Sequence, residues 1–205
     1  MEDRNVVLAT FAVRIAVAAF IFLVYSKNRN KLALYTGLFV LSLGLSALFR
    51  YLNMVTGSLF MYFLLRFFVY IGPVSLLCGI GSVGAGWVRR YKVALISGIV
   101  LSIGAFAETY IFGGPAAEAT YALFPSQIIG GIILLVCAYY FLTSGARIHP
   151  LGRFLLGWGI ALEGFLFLLG GFLLQKGLVS TAYYLGLIFF LMIGAGCALC
   201  TGYKK

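Results

Sequence analysis

Apolar positions run along the chain in stretches of about twenty residues, separated by short polar connections, and this pattern predicts seven membrane-spanning helices. The spans fall near 6–25, 32–52, 59–82, 93–113, 126–144, 154–174 and 182–202. Each is long enough to cross a hydrocarbon core of ~30 Å. A transmembrane barrel would instead show alternating ten-residue segments. The longest connection, PAAEATYALFP, leaves no room for a soluble domain. The expected fold class is therefore an all-α integral membrane protein, with residues 1–205 in a single seven-helix membrane domain.

Two stretches suggest how the spans are organised. Residues 65–79 read LRFFVYIGPVSLLCG and residues 187–201 read LIFFLMIGAGCALCT, agreeing at seven of fifteen positions. A two-residue shift further upstream aligns Gly37 with Gly157 and Lys27 with Arg147. The order of apolar segment, basic loop and apolar segment is the same in both copies. The expectation is a 3+1+3 arrangement of two parallel three-helix repeats, about 6–82 and about 126–202, joined by a linker helix at about 93–113.

Charge supplies the orientation. Lys27, Arg29, Lys31, Arg89, Arg90, Lys92, Arg147, Arg153, Lys204 and Lys205 fall on one side of the predicted bundle, and only Arg4 and Lys176 on the other. Short loops rich in Lys and Arg stay cytoplasmic, which places the N-terminus outside and the C-terminus inside. The net charge of +10 thus reads as topology, with the basic inner loops meeting anionic lipid headgroups, and nucleic acid is not an expected partner. Trp87 and Trp158 sit where interfacial anchors belong. Arg14 interrupts the first apolar run, so that run is expected to be a retained span rather than a cleaved signal.

Composition agrees: 63% of residues are hydrophobic and 10% charged, against roughly 25% charged in soluble domains, and the mean hydropathy is +1.08. Within so apolar a chain, each ionisable residue inside a span is informative, because it costs about 2.5–3.5 kcal/mol or more at the bilayer centre. Arg14 and Glu163 lie at similar depth in the first and sixth spans, where an ion pair is allowed. Arg66 shares a helical face with Tyr62 and Tyr70, at i−4 and i+4. Arg50 and Glu108 lie nearer the outer ends, Arg50 close enough to snorkel to the interface. In the repeat alignment the first copy carries the cations and the second the anion. The expected substrate-binding or intramembrane polar set is Arg14, Tyr62, Arg66, Tyr70, Glu108 and Glu163. Arg66, with no acid near it in sequence, is the strongest candidate to draw an anion. The competing reading makes these residues ion pairs that only fix helix register.

Other chemistry is poorly represented. No catalytic residue is expected, and the chain is not read as an enzyme: His149 is the sole histidine, Asp3 the sole aspartate, and no phosphate-loop, zincin or nucleophile-elbow motif occurs. No metal and no cofactor are expected. Cys78, Cys137, Cys197 and Cys200 fall towards the cytoplasmic side and read as small apolar packing. The arrangement resembles in outline the PQ-loop sugar transporters and the microbial rhodopsins. The Pro-Gln dipeptide of the first is missing, however (Pro125-Ser126-Gln127 stands nearest), and no lysine lies in the predicted seventh span to carry retinal. The chain is assigned to neither.

The leading functional expectation is a transporter or channel-like protein for a small solute, in the cytoplasmic membrane, with a polar site between the repeats and Pro73 and the glycine-rich helices permitting rocking. A non-catalytic subunit of a larger membrane complex, or a homo-oligomer, is the alternative, and a seven-helix sensor the third.

Overall fold

The computed structural model describes residues 4–84, 86, 91–114, 125–143 and 149–202, which form seven helices and, among the described residues, no strand. These are α1 (Arg4–Asn28), α2 (Lys31–Thr56), α3 (Leu59–Ser82), α4 (Lys92–Phe106), α5 (Pro125–Thr143), α6 (Pro150–Gln175) and α7 (Val179–Gly202). Six spans are long and apolar enough to cross a membrane, formed by α1, α2, α3, α4 with its continuation to Ile111, α6 and α7, and α5 contributes a shorter apolar helix over Gln127–Thr143. Trp87, Arg89, Arg90, Glu118, Arg147, Lys204 and Lys205, on which part of the orientation reading rests, lie outside the described residues.

Local chemistry sets the ends. Asn30 caps α2, its side chain accepting from the Leu32 amide at 2.9 Å. At the other end Gly57 adopts φ +65°, and its amide closes on the Asn53 carbonyl at 2.8 Å. A left-handed residue of this kind is what a glycine C-cap supplies. Helix α2 therefore reaches Thr56, beyond its expected end at 52, and the turn into α3 shrinks to Gly57 and Ser58. The expected fourth span, 93–113, changes character part-way. After Phe106 the ladder widens into a π-turn over Ala107–Ile111, with the Phe112 amide bonded to the Ala107 carbonyl at 3.0 Å.

Helices α1, α2, α3, α5, α6 and α7 form a closed ring, each packed on the next and α7 returning to α1, while α4 lies outside against α3. Ring neighbours that follow one another in the chain run antiparallel, as where Gly37 and Gly44 of α2 meet Phe22 and Arg14 of α1 in reverse order, but α3 and α5 run parallel, with Gly130 by Tyr70 and Gly84 by Tyr140. Across the closure the sense is parallel, with Asn28 bonded to the Thr201 carbonyl at 3.3 Å and Val17 against Gly194. Large apolar side chains face outwards, among them Leu95, Ile96 and Ile103 on α4 and Leu191 on α7.

The inside of the ring is filled unevenly. Towards the end that carries the C-terminus it is packed with apolar side chains, including Leu32, Leu76, Ile80, Phe141, Leu156, Ile193 and Cys197. Phe39 of α2 and Phe190 of α7 stack across this layer with centroids 6.2 Å apart. Most of the buried ionisable and amide side chains lie above it, towards the end that carries the N-terminus.

Candidate functional site

Arg14 is the buried hub. From α1 its Nη1 donates to the Leu43 carbonyl of α2 at 2.8 Å, and its Nη2 lies 3.8 Å from Glu163 Oε1 of α6. Its guanidinium carbon sits 4.5 Å from the ring centre of Phe190 on α7. One side chain thus touches three other helices and joins the first three to the last three. The Leu43 carbonyl also accepts from Ser46 Oγ at 2.8 Å, one of the polar contacts that make this ring interior tolerable for a cation. Gly186 leaves the neighbouring space open, since a Cβ there would stand 3.6 Å from Arg14 Nη2 and 3.8 Å from Glu163 Oε2.

The pair is not fully satisfied. A charge-assisted hydrogen bond closes to about 2.7–2.9 Å. At 3.8 Å the two ions attract without such a bond. Arg14 Nε and Glu163 Oε2 are buried with no hydrogen-bond partner among the described residues. Unpaired polar atoms in a buried site are costly, so each marks a position where a further polar group would be held strongly.

A second cluster lies between α3 and α4. Arg66 Nε and Nη2 donate to Tyr62 Oη at 2.9 and 2.7 Å, one helical turn away. Tyr70 Oη donates to Glu108 Oε2 at 2.6 Å, and the same oxygen lies 3.6 Å from Arg66 Nε. The expectation that Arg66 has no acid near it is corrected here: Glu108, in the π-turn that follows α4, reaches it. The π-turn is the reason. It holds Glu108 and Thr109 against the bundle while Tyr110, Ile111 and Phe112 stay exposed. Such insertions redirect side chains and recur at functional sites.

Between the clusters is a cavity of about 180 Å³ that all six ring helices line. Arg14, Ser46, Arg50, Arg66, Gln127, Glu163 and Tyr183 supply its polar wall, and Leu43, Leu65, Val69, Leu166, Phe167 and Leu173 its apolar wall. Of the residues expected from sequence, Arg14, Arg66 and Glu163 face this space. Tyr62, Tyr70 and Glu108 stand behind Arg66, fully buried, and orient it. Arg50, expected to snorkel, is half-buried and turned to the cavity. Sequence reasoning did not select Ser46, Gln127 and Tyr183. The one available signal was that Ser46 stands a helical turn before Arg50. Pro73 carries no amide hydrogen to donate to the carbonyl of Val69, a residue that lines the same cavity. No protein-family model, curated protein or solved structure matches the chain, and what this cavity holds has to be read from its own geometry.

Proposed function

We propose that the chain is a seven-span transporter or channel-like protein for a small solute, and that the central cavity is its solute site. The observation that carries this reading is the cavity itself: it lies where the first and last three helices meet, and its wall contains an ion pair left partly unsatisfied. A register-fixing pair would be closed and packed around. In bundles built from repeats, solute sites form where the halves meet.

Two pairs of corresponding contacts favour the repeat reading. A Cβ on Gly37 would stand 2.8 Å from Phe22, and one on Gly157 would stand 2.7 Å from Leu142; Gly157 and Leu142 each lie 120 positions beyond their counterparts. Gly44 against Arg14 and Gly164 against Leu134 show the same spacing, with Cβ contacts of 3.4 and 3.1 Å. The helices after α4 thus repeat the close approaches of those before it. With the N-terminus outside and the C-terminus cytoplasmic, as the basic loops favour, the cavity faces outwards. The apolar layer seals it from the cytoplasm, and passage requires Phe39 and Phe190 to part. The Gly72–Pro73 step lies beside that pair, since a Cβ on Gly72 would meet the Phe39 ring at 3.3 Å, and it supplies a place for α3 to bend.

Thiol accessibility tests this. Cysteines introduced as Ser46→Cys and Ala182→Cys are expected to react with a charged, membrane-impermeant maleimide added outside intact cells. Leu76→Cys, in the apolar layer, is expected to stay unmodified, and Thr56→Cys, at the exposed end of α2, to label as the positive control. Protection of positions 46 and 182 from reagent on both sides of the membrane would overturn the pathway.

A further inference from the structure

We infer that the seam between α3 and α4 binds one anionic phospholipid, with its phosphate at the basic start of α4 and one hydrocarbon chain along the seam. The inference does not depend on what the central cavity carries.

The seam holds a groove of about 610 Å³ on the outside of the ring. Its floor is made of small residues of α4, Ala94, Gly98 and Ser102, one helical turn apart on one face. Leu95, Ile99 and Ile103 form the rim and stand out from the bundle, and α3 supplies the opposite wall from Ile71 to Cys78. Ser102 is the only hydroxyl of that floor, and it donates to the Gly98 carbonyl at 2.7 Å. Water in such a space lacks the polar partners that it needs. A hydrocarbon needs none.

Length selects the occupant. From Tyr91 to Ile103 the groove runs about 18 Å, at ~1.5 Å per helical residue. Half of a ~30 Å hydrocarbon core is about 15 Å. The groove is therefore one leaflet deep. Beyond it the seam is shut, because Tyr110 lies against Phe63 with ring centres 5.9 Å apart and Tyr70 bonds to Glu108. A spanning helix from a second copy would be ~10–12 Å across and would need the whole thickness. A groove that ends at mid-membrane suits a single lipid chain.

Charge identifies the headgroup. At the open end the chain reads Arg89-Arg90-Tyr91-Lys92; Lys92 is exposed and Tyr91 lines the groove. The five acids of the chain are placed elsewhere. Glu2 and Asp3 precede α1, Glu118 follows the far end of α4, and Glu108 and Glu163 face Arg66 and Arg14. No carboxylate side chain is left for this basic run, so an anion from the membrane complements it. A phosphate that continues into a hydrocarbon tail supplies both parts at once.

Photolabelling tests this on the full chain. The purified protein is placed in phosphatidylcholine vesicles containing a trace of phosphatidylglycerol with a photoreactive group on its chain, or of phosphatidylcholine with the same chain. Mass spectrometry then locates the adduct. Phosphatidylglycerol is expected to label segments 71–78 and 94–103 about fivefold or more above phosphatidylcholine. Lys92→Gln is expected to cut that phosphatidylglycerol adduct about fivefold, as loss of one basic residue near an anionic headgroup does, and to leave the phosphatidylcholine adduct unchanged. Gly98→Leu fills the floor, where a Cβ still stands 3.7 Å from Val74 Cγ1, and is expected to remove the adduct from both segments. Labelling around the exposed Leu191 of α7 is expected to persist in both variants, which shows that the fold is retained. Equal labelling of the groove by the two lipids would overturn the site, as would phosphatidylglycerol labelling no stronger there than around Leu191. A groove that neither lipid labels, in a particle that cross-links to a dimer through α4, would give the seam to a second copy instead.

Discussion

Replacing Gly196 with leucine is expected to destabilise the folded bundle more than a leucine at any other glycine of α6 or α7. A Cβ at that position would press on the Leu156 amide nitrogen and lie 2.8 Å from the Gly152 carbonyl and 2.9 Å from Leu156 Cα, all backbone atoms of α6. Backbone cannot rotate away as a side-chain end does. The contact is mutual, since a Cβ on Gly152 would stand 2.8 Å from Leu199 Cβ and 2.9 Å from the Cys200 amide, and one on Gly159 would stand 3.0 Å from the Phe189 carbonyl. Small residues at such seams are how helices associate where lipid gives no hydrophobic drive. Overpacking typically costs about 1–3 kcal/mol, and the upper part of that range or more is expected where the obstacle is main chain. Gly194→Ala is the informative contrast, because it meets only Val17 Cγ1, at 2.9 Å. Gly170→Ala meets nothing and is expected to be silent. The fraction surviving as monodisperse protein after heating in detergent ranks the three. Equal survival of Gly196→Leu and Gly170→Ala would mean that the α6–α7 seam does not hold the bundle.

These glycines show what a sequence reveals and what it hides. That spans dense in glycine pack through it is legible for Gly157, Gly159, Gly164, Gly194 and Gly196, whereas Gly170, which the same reasoning includes beside Gly171, has open space around it. Which neighbour each faces is not legible. Gly194 and Gly196 lie two residues apart and so point to different helices, one to a yielding valine and the other to backbone. Helix order and approximate limits were likewise written in hydropathy, since a membrane makes apolar length nearly sufficient. The ends that moved did so through local chemistry: a left-handed Gly57, and a π-turn whose extra residue leaves no periodic trace.

The polar residues divide in the same way. Burial of Arg14, Arg66, Glu108 and Glu163 could be anticipated, because each stands in an apolar run that cannot place it in water. Partnership depended on depth and rotation together. Arg14 with Glu163 needed only similar depth in two spans, and was anticipated. Arg66 with Glu108 needed the π-turn of a helix outside the ring, and was not. Ser46, Gln127 and Tyr183 carry no charge to single them out, so only the ring could show that they share one cavity.

Breaking the Arg14–Glu163 pair one partner at a time is expected to have the other large effect, and removing both is expected to undo it. Glu163→Leu leaves Arg14 with the Leu43 carbonyl and the Phe190 ring as neighbours, and with no carboxylate in contact among the described residues. Arg14→Leu leaves Glu163 buried beside Leu166 and Gly186 without its cation. Loss of one member of a buried pair typically costs about 3–5 kcal/mol, chiefly through the charge left behind. In the double variant no buried charge remains at this contact, and two leucines fill space that two long side chains held. Its heat stability in detergent is expected to return to that of the parent or to exceed it. If each single variant proves as stable as the double, the 3.8 Å separation carries no coupling, and the two residues answer to other neighbours. Function separates the roles that stability cannot. A pair that only sets helix register leaves solute binding intact in the rescued double variant. The pair described here lends the cavity a donor and an acceptor, so the double variant is expected to fold well and to lose solute binding. Stability regained with binding lost is the result that assigns Arg14 and Glu163 to the solute.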